Sequence, residues 1–134
     1  MHLIVCLDER DGMLFNNRRQ SRDRMLRQWL QALVGEGRLW MNGYSARQFE
    51  ETAGITVDED FLEKADGCAY CFVENADITP FAGRVSDITV YRWNTVYPAD
   101  TRFPWALFPT RQLVHSTEFA GSSHDVITEE VYCL

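Results

Sequence analysis

Apolar positions near the start of the chain predict a strand followed by an amphipathic helix. Residues 3–7 form a continuous apolar run, typical of a strand buried on both faces of a sheet. The polar stretch 9–20 predicts a loop, and Ser21 is a suitable N-cap for a helix over residues 22–34, which Gly35 would end. The apolar positions of this helix recur at helical spacing and predict one buried stripe, formed by Met25, Leu26, Trp29, Leu30 and Leu33.

The pattern changes to long strands in the last third of the chain. Residues 88–93, 111–119 and 125–132 are rich in β-branched and aromatic residues, and Gly121-Ser-Ser123 predicts a hairpin loop between the last two segments. Earlier segments alternate between short strands and short helices, one of which would begin at Ser45 through a capping box. The order predicts a mostly parallel sheet with flanking helices and a C-terminal antiparallel hairpin.

Length and composition predict one soluble domain. The 134 residues suit a single domain over 1–134, and the 46% hydrophobic and 25% charged residues are ordinary for a globular protein. No apolar run approaches the ~20 residues of a membrane span, so we expect no membrane partner. The chain opens directly on a strand, with no basic leader, which predicts a cytoplasmic protein. The net charge of −7 argues against a nucleic-acid partner.

Positive charge is concentrated at one end of the chain. Residues 1–30 carry a net charge of +2 and the remainder −9, with Arg18, Arg19 and Arg22 just before the predicted helix. Arginines in this position can bind a phosphate or a carboxylate. The competing interpretation is a solvated loop with charges on the outer face of the helix.

Cysteine and histidine spacing predicts no metal site. Cys68 and Cys71 form a lone Cys-x-x-Cys, whereas a structural zinc site needs four ligands. None of the three histidines (His2, His115 and His124) has ligand spacing. The cysteines are better explained as thiols within strands.

Segments at the two ends of the chain carry a resemblance to a known family. The start reads Met-His-Leu-Ile-Val-Cys-Leu-Asp8 and then Asp11-Gly-Met13, ahead of a helix that carries Asp23. The end reads Ile88-Thr-Val-Tyr91 and then Ala99-Asp-Thr-Arg-Phe-Pro104. In this order the segments resemble dihydrofolate reductase, which implies a three-layer α/β fold with a central sheet of about six to eight strands.

The resemblance assigns two candidate catalytic residues. Asp23 matches the family's substrate-binding carboxylate, which can accept two N–H bonds from a 2-aminopyrimidine edge. Thr101 is then expected to hydrogen-bond Asp23 and fix its orientation. The competing interpretation of Asp23 is an acid in the first helical turn, where the helix dipole favours negative charge.

The cofactor segments of the family are altered in this chain. The family's Met-Gly-Arg-x-Thr corresponds to Met41-Asn-Gly-Tyr-Ser45, in which Gly43 replaces the arginine and Ser45 keeps the hydroxyl. The helix start at Ser45 can still hold an anion through backbone N–H groups. The Gly-Gly pair after the central strand is replaced by Glu74-Asn75. We therefore expect no cofactor and no efficient NADPH-dependent reduction of dihydrofolate.

These observations predict a divergent dihydrofolate reductase-like protein that binds a small anionic or heterocyclic molecule. Asp23 would lie at the floor of the remaining cleft, with Arg18, Arg19 and Arg22 at its rim. One alternative is a divergent NADPH-dependent reductase of a pterin or a related heterocycle. Another is a non-catalytic structural module that self-associates as a homodimer.

Overall fold

A seven-stranded mixed sheet lies at the centre of the molecule. The computed structural model describes residues 1–35 and 37–134. The strands are β1 His2–Leu7, β2 Gly12–Phe15, β3 Arg18–Arg19, β4 Leu39–Met41, β5 Ile55–Val57, β6 Tyr70–Phe72, β7 Asp87–Arg92, β8 Thr101–Arg102, β9 Gln112–Phe119 and β10 Ile127–Cys133. The helices are α1 Arg24–Val34, α2 Gly43–Ala46 and α3 Phe61–Lys64, and 3₁₀ turns span Thr79–Arg84 and Trp105–Leu107.

The strand order confirms the predicted sheet. The order is β5-β4-β6-β1-β7-β10-β9, parallel from β5 to β7 and antiparallel at β10 and β9. β1 pairs with β7 from His2↔Asp87 to Leu7↔Arg92, and with β6 only from His2↔Tyr70 to Ile4↔Phe72. Because β1 has neighbours on both edges and side chains packed on both faces, its sequence is continuously apolar.

Two apolar clusters cover the two faces of the sheet. Leu3, Val5 and Leu7 point to one face, where α3 and the 3₁₀ turns pack. Ile4 points to the other face, where α1 packs. The domain therefore has the three layers that were expected. Among the described residues, none belongs to a helix long and apolar enough to cross a bilayer.

Helix α1 differs from the prediction in its cap and its buried face. It begins at Arg24, and its N-cap is Asp23 rather than Ser21, because the Asp23 carboxylate accepts the Leu26 N–H at 3.2 Å. The residues that pack on the sheet are Leu26, Leu30 and Val34. The remaining apolar residues form a second row at the side of the helix, and Met25, Trp29 and Leu33 are 39%, 38% and 47% exposed.

The predicted loop over residues 9–20 contains a hairpin. β2 and β3 pair through Leu14↔Arg19 and Phe15↔Arg18, and β8 pairs with the other edge of β2. Asn16 and Asn17 connect β2 to β3 with φ of 52° and 60°. Asparagine tolerates this left-handed conformation, which a two-residue type I′ turn requires at both positions. The small sheet contacts the carboxyl end of β6, because Arg19 of β3 binds Glu74.

Helix α2 starts earlier than predicted. Its N-cap is Asn42, whose Oδ1 accepts the Ser45 N–H at 3.1 Å. Ser45 therefore lies inside the helix instead of capping it, and its hydroxyl is free to point into the crevice described below.

Candidate functional site

The crevice at the carboxyl ends of β1 and β6 is the place where this fold positions a ligand. The two strands separate after the pair Ile4↔Phe72. The chain then runs from β1 through α1 to β4, and from β6 through a 3₁₀ turn to β7. In open α/β sheets such a reversal of direction leaves a crevice in which ligands bind. Here side chains of the chain itself fill the crevice.

Glu74 lies at the centre of this crevice, directly after β6. Glu74 is 8% exposed, and its carboxylate accepts hydrogen bonds from Arg19 Nε at 2.9 Å and from Arg19 Nη2 at 3.0 Å. It also accepts the Ser45 hydroxyl at 2.8 Å and Gln48 Nε2 at 3.1 Å. Two predicted ligand-binding residues, Arg19 and Ser45, are therefore brought together, and both donate hydrogen bonds to the Glu74 carboxylate instead of to a ligand.

The Arg19 side chain is held by Tyr44 as well as by Glu74. Its guanidinium stacks 4.3 Å from the centroid of the Tyr44 ring and donates to the Tyr44 carbonyl oxygen at 3.1 Å. Burial lowers the pKa of Arg19, but the hydrogen bonds and charge of Glu74 outweigh it and hold the pKa above its usual value. Arg19 is thus a structural cation whose charge is already neutralised.

The N-terminus of α2 is also occupied. Gly43 N–H donates to Glu59 Oε2 at 2.8 Å, and Ser45 N–H donates to Asn42 Oδ1 at 3.1 Å. Asn42 Nδ2 in turn donates to Asn75 Oδ1 at 2.8 Å. Two of the amides that the sequence analysis expected to hold an anion, those of Gly43 and Ser45, are therefore bonded to side chains instead.

Asp23 is buried, and the hairpin loop between β9 and β10 encloses it. The loop supplies Ser122 N–H at 3.0 Å, Ser123 N–H at 2.8 Å, the Ser122 hydroxyl at 3.2 Å and His124 Nδ1 at 3.0 Å. Burial raises the pKa of Asp23, but the bonds from Ser122, His124 and Ser123 outweigh it and hold the pKa well below its usual value. Asp23 both caps α1 and is a buried anion, so both earlier interpretations of it are incomplete.

Thr101 does not hydrogen-bond Asp23, and that expectation was wrong. Thr101 pairs with Leu14 in the small sheet, and its hydroxyl donates to Asp100 at 3.4 Å. It lies in the wall of a cavity of about 320 Å³ between the small sheet and the loop after β6. β8 carries Thr101 away from α1, because its strand partner is β2 and not a strand of the central sheet.

His124 is the residue of this region that sequence reasoning missed. Its ring stacks on Trp93 with centroids 4.5 Å apart, and Nε2 lies 3.0 Å from both the Ser21 hydroxyl and the Tyr97 hydroxyl. The side chain is 6% exposed. Its partners Ser21 and Asp23 lie about a hundred positions away, so no local pattern indicates the contact.

An open hollow lies beside the small sheet. Its volume is about 570 Å³, and its wall includes Phe15, Arg18, Arg19, Gln20 and Tyr97. Arg18 is exposed, and its guanidinium is hydrogen-bonded to none of the described residues. Gln20 Nε2 donates to Asp8 Oδ2 at 3.0 Å and to the Pro98 carbonyl oxygen at 3.3 Å.

Arg22 is exposed and lies outside the wall of that hollow. Burial and the charge of Arg22 together lower the pKa of Arg27, so the arginines around the start of α1 repel one another. Within residues 1–35 and 37–134, no cluster of three or more histidine, cysteine or acidic side chains could hold a metal ion.

Comparisons with known proteins agree with the fold. No family model and no curated protein matches the sequence. Among solved structures, dihydrofolate reductase from Enterococcus faecalis complexed with NADP(H) and RAB-propyl aligns with a TM-score of 0.65 and 10% sequence identity, over 98% of this chain and 94% of that chain. The chain is thus a three-layer α/β domain with a crevice at the carboxyl edge of its sheet. Its fold is that of dihydrofolate reductase.

Proposed function

We propose that this protein keeps the dihydrofolate reductase fold without NADPH-dependent reduction of dihydrofolate, and that it binds a small anionic aromatic or heterocyclic molecule in the hollow beside Arg18. The observation that carries the proposal is the Glu74 carboxylate in the crevice. Glu74 holds Arg19, Ser45 and Gln48 at hydrogen-bond distance, so the groups that could bind a phosphate are already paired.

The charge of Glu74 opposes a diphosphate in two ways. A diphosphate would lie next to a buried carboxylate, and it would have to break hydrogen bonds to a charged group that contribute about 1.5–3 kcal/mol each. Two donors at the start of α2 are already used, because Glu59 and Asn42 accept the N–H groups of Gly43 and Ser45. Binding of NADPH in the manner of the family is therefore disfavoured.

The hollow beside Arg18 has the properties of a site for a small anion. Its volume of about 570 Å³ lies within the ~300–1,000 Å³ range of small-molecule pockets. Phe15 is 44% exposed and Tyr97 lines the same wall, so a planar ring has apolar surface to contact. Arg18 can bind a carboxylate or a phosphate bidentately. Arg22 lies near the same segment of chain and contributes to the positive potential that attracts an anion.

Thermal-shift measurements with phenyl phosphate, benzoate and pterin-6-carboxylate test the ligand class. We expect at least one of these probes to raise the melting temperature, and Arg18→Gln to remove that shift. Arg22→Gln is the matched control, because it removes an equal charge outside the hollow and should keep most of the shift. A shift that survives Arg18→Gln, or no shift with any probe at ~10 mM, would contradict the proposed site.

Calorimetric titration with NADPH tests the part of the proposal that concerns the cofactor. We expect no saturation at NADPH concentrations up to ~1 mM. A micromolar dissociation constant would favour the alternative of a divergent NADPH-dependent reductase. The cofactor would then bind nearest the cavity of about 320 Å³ that Thr101 lines.

A non-catalytic, self-associating module remains the second candidate because of the edge strand β9. Leu113 and Val114 on this strand are 52% and 56% exposed. An exposed apolar edge strand can pair with the same strand of a second copy. The molar mass in solution decides this: a dimer that Leu113→Lys converts to a monomer supports self-association, and a monomer at ~100 µM excludes a stable dimer.

A further inference from the structure

We propose that Ser21, His124 and Asp23 act as nucleophile, base and positioning carboxylate in the hydrolysis of small carboxylic esters that enter beside Tyr97. The Ser21 hydroxyl lies 3.0 Å from His124 Nε2, and Asp23 Oδ2 lies 3.0 Å from His124 Nδ1. A nucleophile on one ring nitrogen and a carboxylate on the other is the arrangement by which serine hydrolases are recognised, whatever their fold.

The local backbone explains how two residues so close in sequence flank one imidazole ring. Asp23 is extended, with φ of −152° and ψ of 128°. In extended chain, side chains two residues apart point the same way and stand about 6.6 Å apart. Ser21 and Asp23 are two residues apart, and each contacts a different nitrogen of the His124 ring. The carboxylate caps α1, and the nucleophile lies two residues before that cap.

The hairpin loop that carries His124 is built against Asp23. Backbone N–H groups of Ser122 and Ser123 donate to the Asp23 carboxylate. Gly121 packs so closely that a Cβ added there would stand 2.6 Å from Asp23 Oδ2 and 2.5 Å from the His124 carbonyl oxygen. Trp93 stacks on the imidazole from another direction. The ring is therefore held in one orientation before any ligand arrives.

The charge of Asp23 sets the tautomer of His124. An ionised carboxylate only accepts hydrogen bonds, so the proton of a neutral imidazole is on Nδ1. Nε2 then carries a lone pair directed at the Ser21 and Tyr97 hydroxyls. This is the tautomer that a general base needs in order to take a proton from serine.

A hollow of about 450 Å³ gives access to the base of this group. Tyr97 and His124 line it together with Trp93, Asn94 and Asp125. Ser21 is half-buried and lies behind His124 and Tyr97, outside the residues that line the hollow. Within the described residues, no acceptor is bonded to the backbone N–H of Arg22, which follows the nucleophile. This N–H and the Arg22 guanidinium are the donors available to an oxyanion. The size of the hollow suits small esters, and Trp93 and Tyr97 in its wall favour an aromatic, uncharged leaving group.

The reaction balances with water as the only co-reactant. Ser21 Oγ forms a bond to the carbonyl carbon while His124 Nε2 takes its proton, and the ester C–O bond then breaks as Nε2 gives that proton to the leaving alcohol. Water, deprotonated by Nε2, next attacks the acyl group. The Ser21 ester bond breaks, the acid leaves, and the proton returns to Ser21.

Covalent labelling tests the nucleophile directly. A fluorophosphonate probe transfers its phosphonyl group to an activated serine and releases fluoride. Mass spectrometry should find the label on Ser21, and Ser21→Ala should abolish both labelling and hydrolysis of p-nitrophenyl acetate. Ser116→Ala is the matched control. Ser116 is exposed on β9, and its removal should change neither labelling nor hydrolysis.

Variants of the base and of the positioning residue separate chemistry from folding. His124→Gln and Asp23→Asn should each slow labelling about 100-fold or more in protein that circular dichroism shows to be folded. Ser122→Ala also removes a bond to Asp23 but leaves the tautomer unchanged, so it should keep the labelling rate. If Asp23 had only a structural role, Asp23→Asn and Ser122→Ala would change the labelling rate by the same factor.

Labelling of the wild-type protein keeps the proposal falsifiable even if the His124 and Asp23 variants do not fold, because it needs no substitution at the site. Absence of label on Ser21 in the wild-type protein, or a rate that His124→Gln leaves unchanged, would overturn the proposal. Neither result bears on the Arg18 site, which is tested with ligands that cannot acylate a serine.

Discussion

Arg19 and Glu74 form a bidentate ion pair across the crevice between β1 and β6, with Nε–Oε2 and Nη2–Oε1 distances of 2.9 and 3.0 Å. The pair joins the small sheet to the central sheet, because Arg19 belongs to β3 and Glu74 follows β6. Its side chains are 21% and 7% exposed, so the pair is largely withdrawn from water. The place where this fold positions a ligand is therefore part of its own stabilising structure.

Removal of the Glu74 charge should destabilise the fold. Glu74→Gln leaves Arg19 partly buried without a counterion, and we expect the free energy of unfolding to fall by about 2–4 kcal/mol. Urea denaturation measures the change. Asp58→Asn is the matched control, since it breaks the exposed pair with Lys64 and should change stability little. Equal effects of the two variants would show that the Arg19–Glu74 pair has no special role.

The buried carboxylate of Asp23 predicts a dependence of stability on pH. Its pKa is lower in the folded state than in the unfolded chain, so its contribution is present above the unfolded value of about 4 and is lost as the pH falls below it. The stability difference between wild type and Asp23→Asn should be largest at neutral pH and should narrow from about pH 4 downward. Chemical denaturation from pH 3 to pH 7 checks this. Asp125→Asn, an exposed change in the neighbouring segment, should show no such narrowing.

The two apolar rows of α1 should respond differently to truncation. Leu30 is 1% exposed on the sheet side, and Leu33 is 47% exposed at the side of the helix. Leu30→Ala should lower the free energy of unfolding by about 2–5 kcal/mol, and Leu33→Ala by about 0.5 kcal/mol or less. Thermal denaturation of both variants at one protein concentration measures this. A large loss from Leu33→Ala that depends on protein concentration would instead place this row in an interface between copies.

The hairpin loop should tolerate no side chain at Gly121. A Cβ there would stand 2.6 Å from Asp23 Oδ2 and 2.5 Å from a backbone oxygen, so Gly121→Ala must displace the loop or the carboxylate. We expect a loss of about 1–3 kcal/mol together with weaker contacts at His124. Gly67→Ala is the matched control, because nothing lies within 4 Å of its added Cβ. Proton resonances of the His124 ring would show a displaced loop in Gly121→Ala and no change in Gly67→Ala.

Much of the fold could be predicted because it depends on local and periodic signals. The continuous apolar run of β1, the helical spacing of α1 and the terminal hairpin each appear within a few residues of sequence. The hairpin of β2 and β3 was missed because strands of four and two residues are too short to show an alternating pattern, although Asn16-Asn17 is a recognisable type I′ turn sequence. The buried row of α1 was only partly predicted, because two adjacent apolar rows share the helix and only packing selects between them.

The sequence by itself determined the order of the longer elements, the positive start of the chain and the Glu74-Asn75 pair after β6, all of which are properties of neighbouring residues. Only the tertiary structure decided the partners of the polar groups. Ser21 and Asp23 are joined to His124 across about a hundred residues, and Arg19 is joined to Glu74 across 55. Such pairs leave no local pattern, because each buried charge needs a counterpart in space and any element that the fold brings near can supply it.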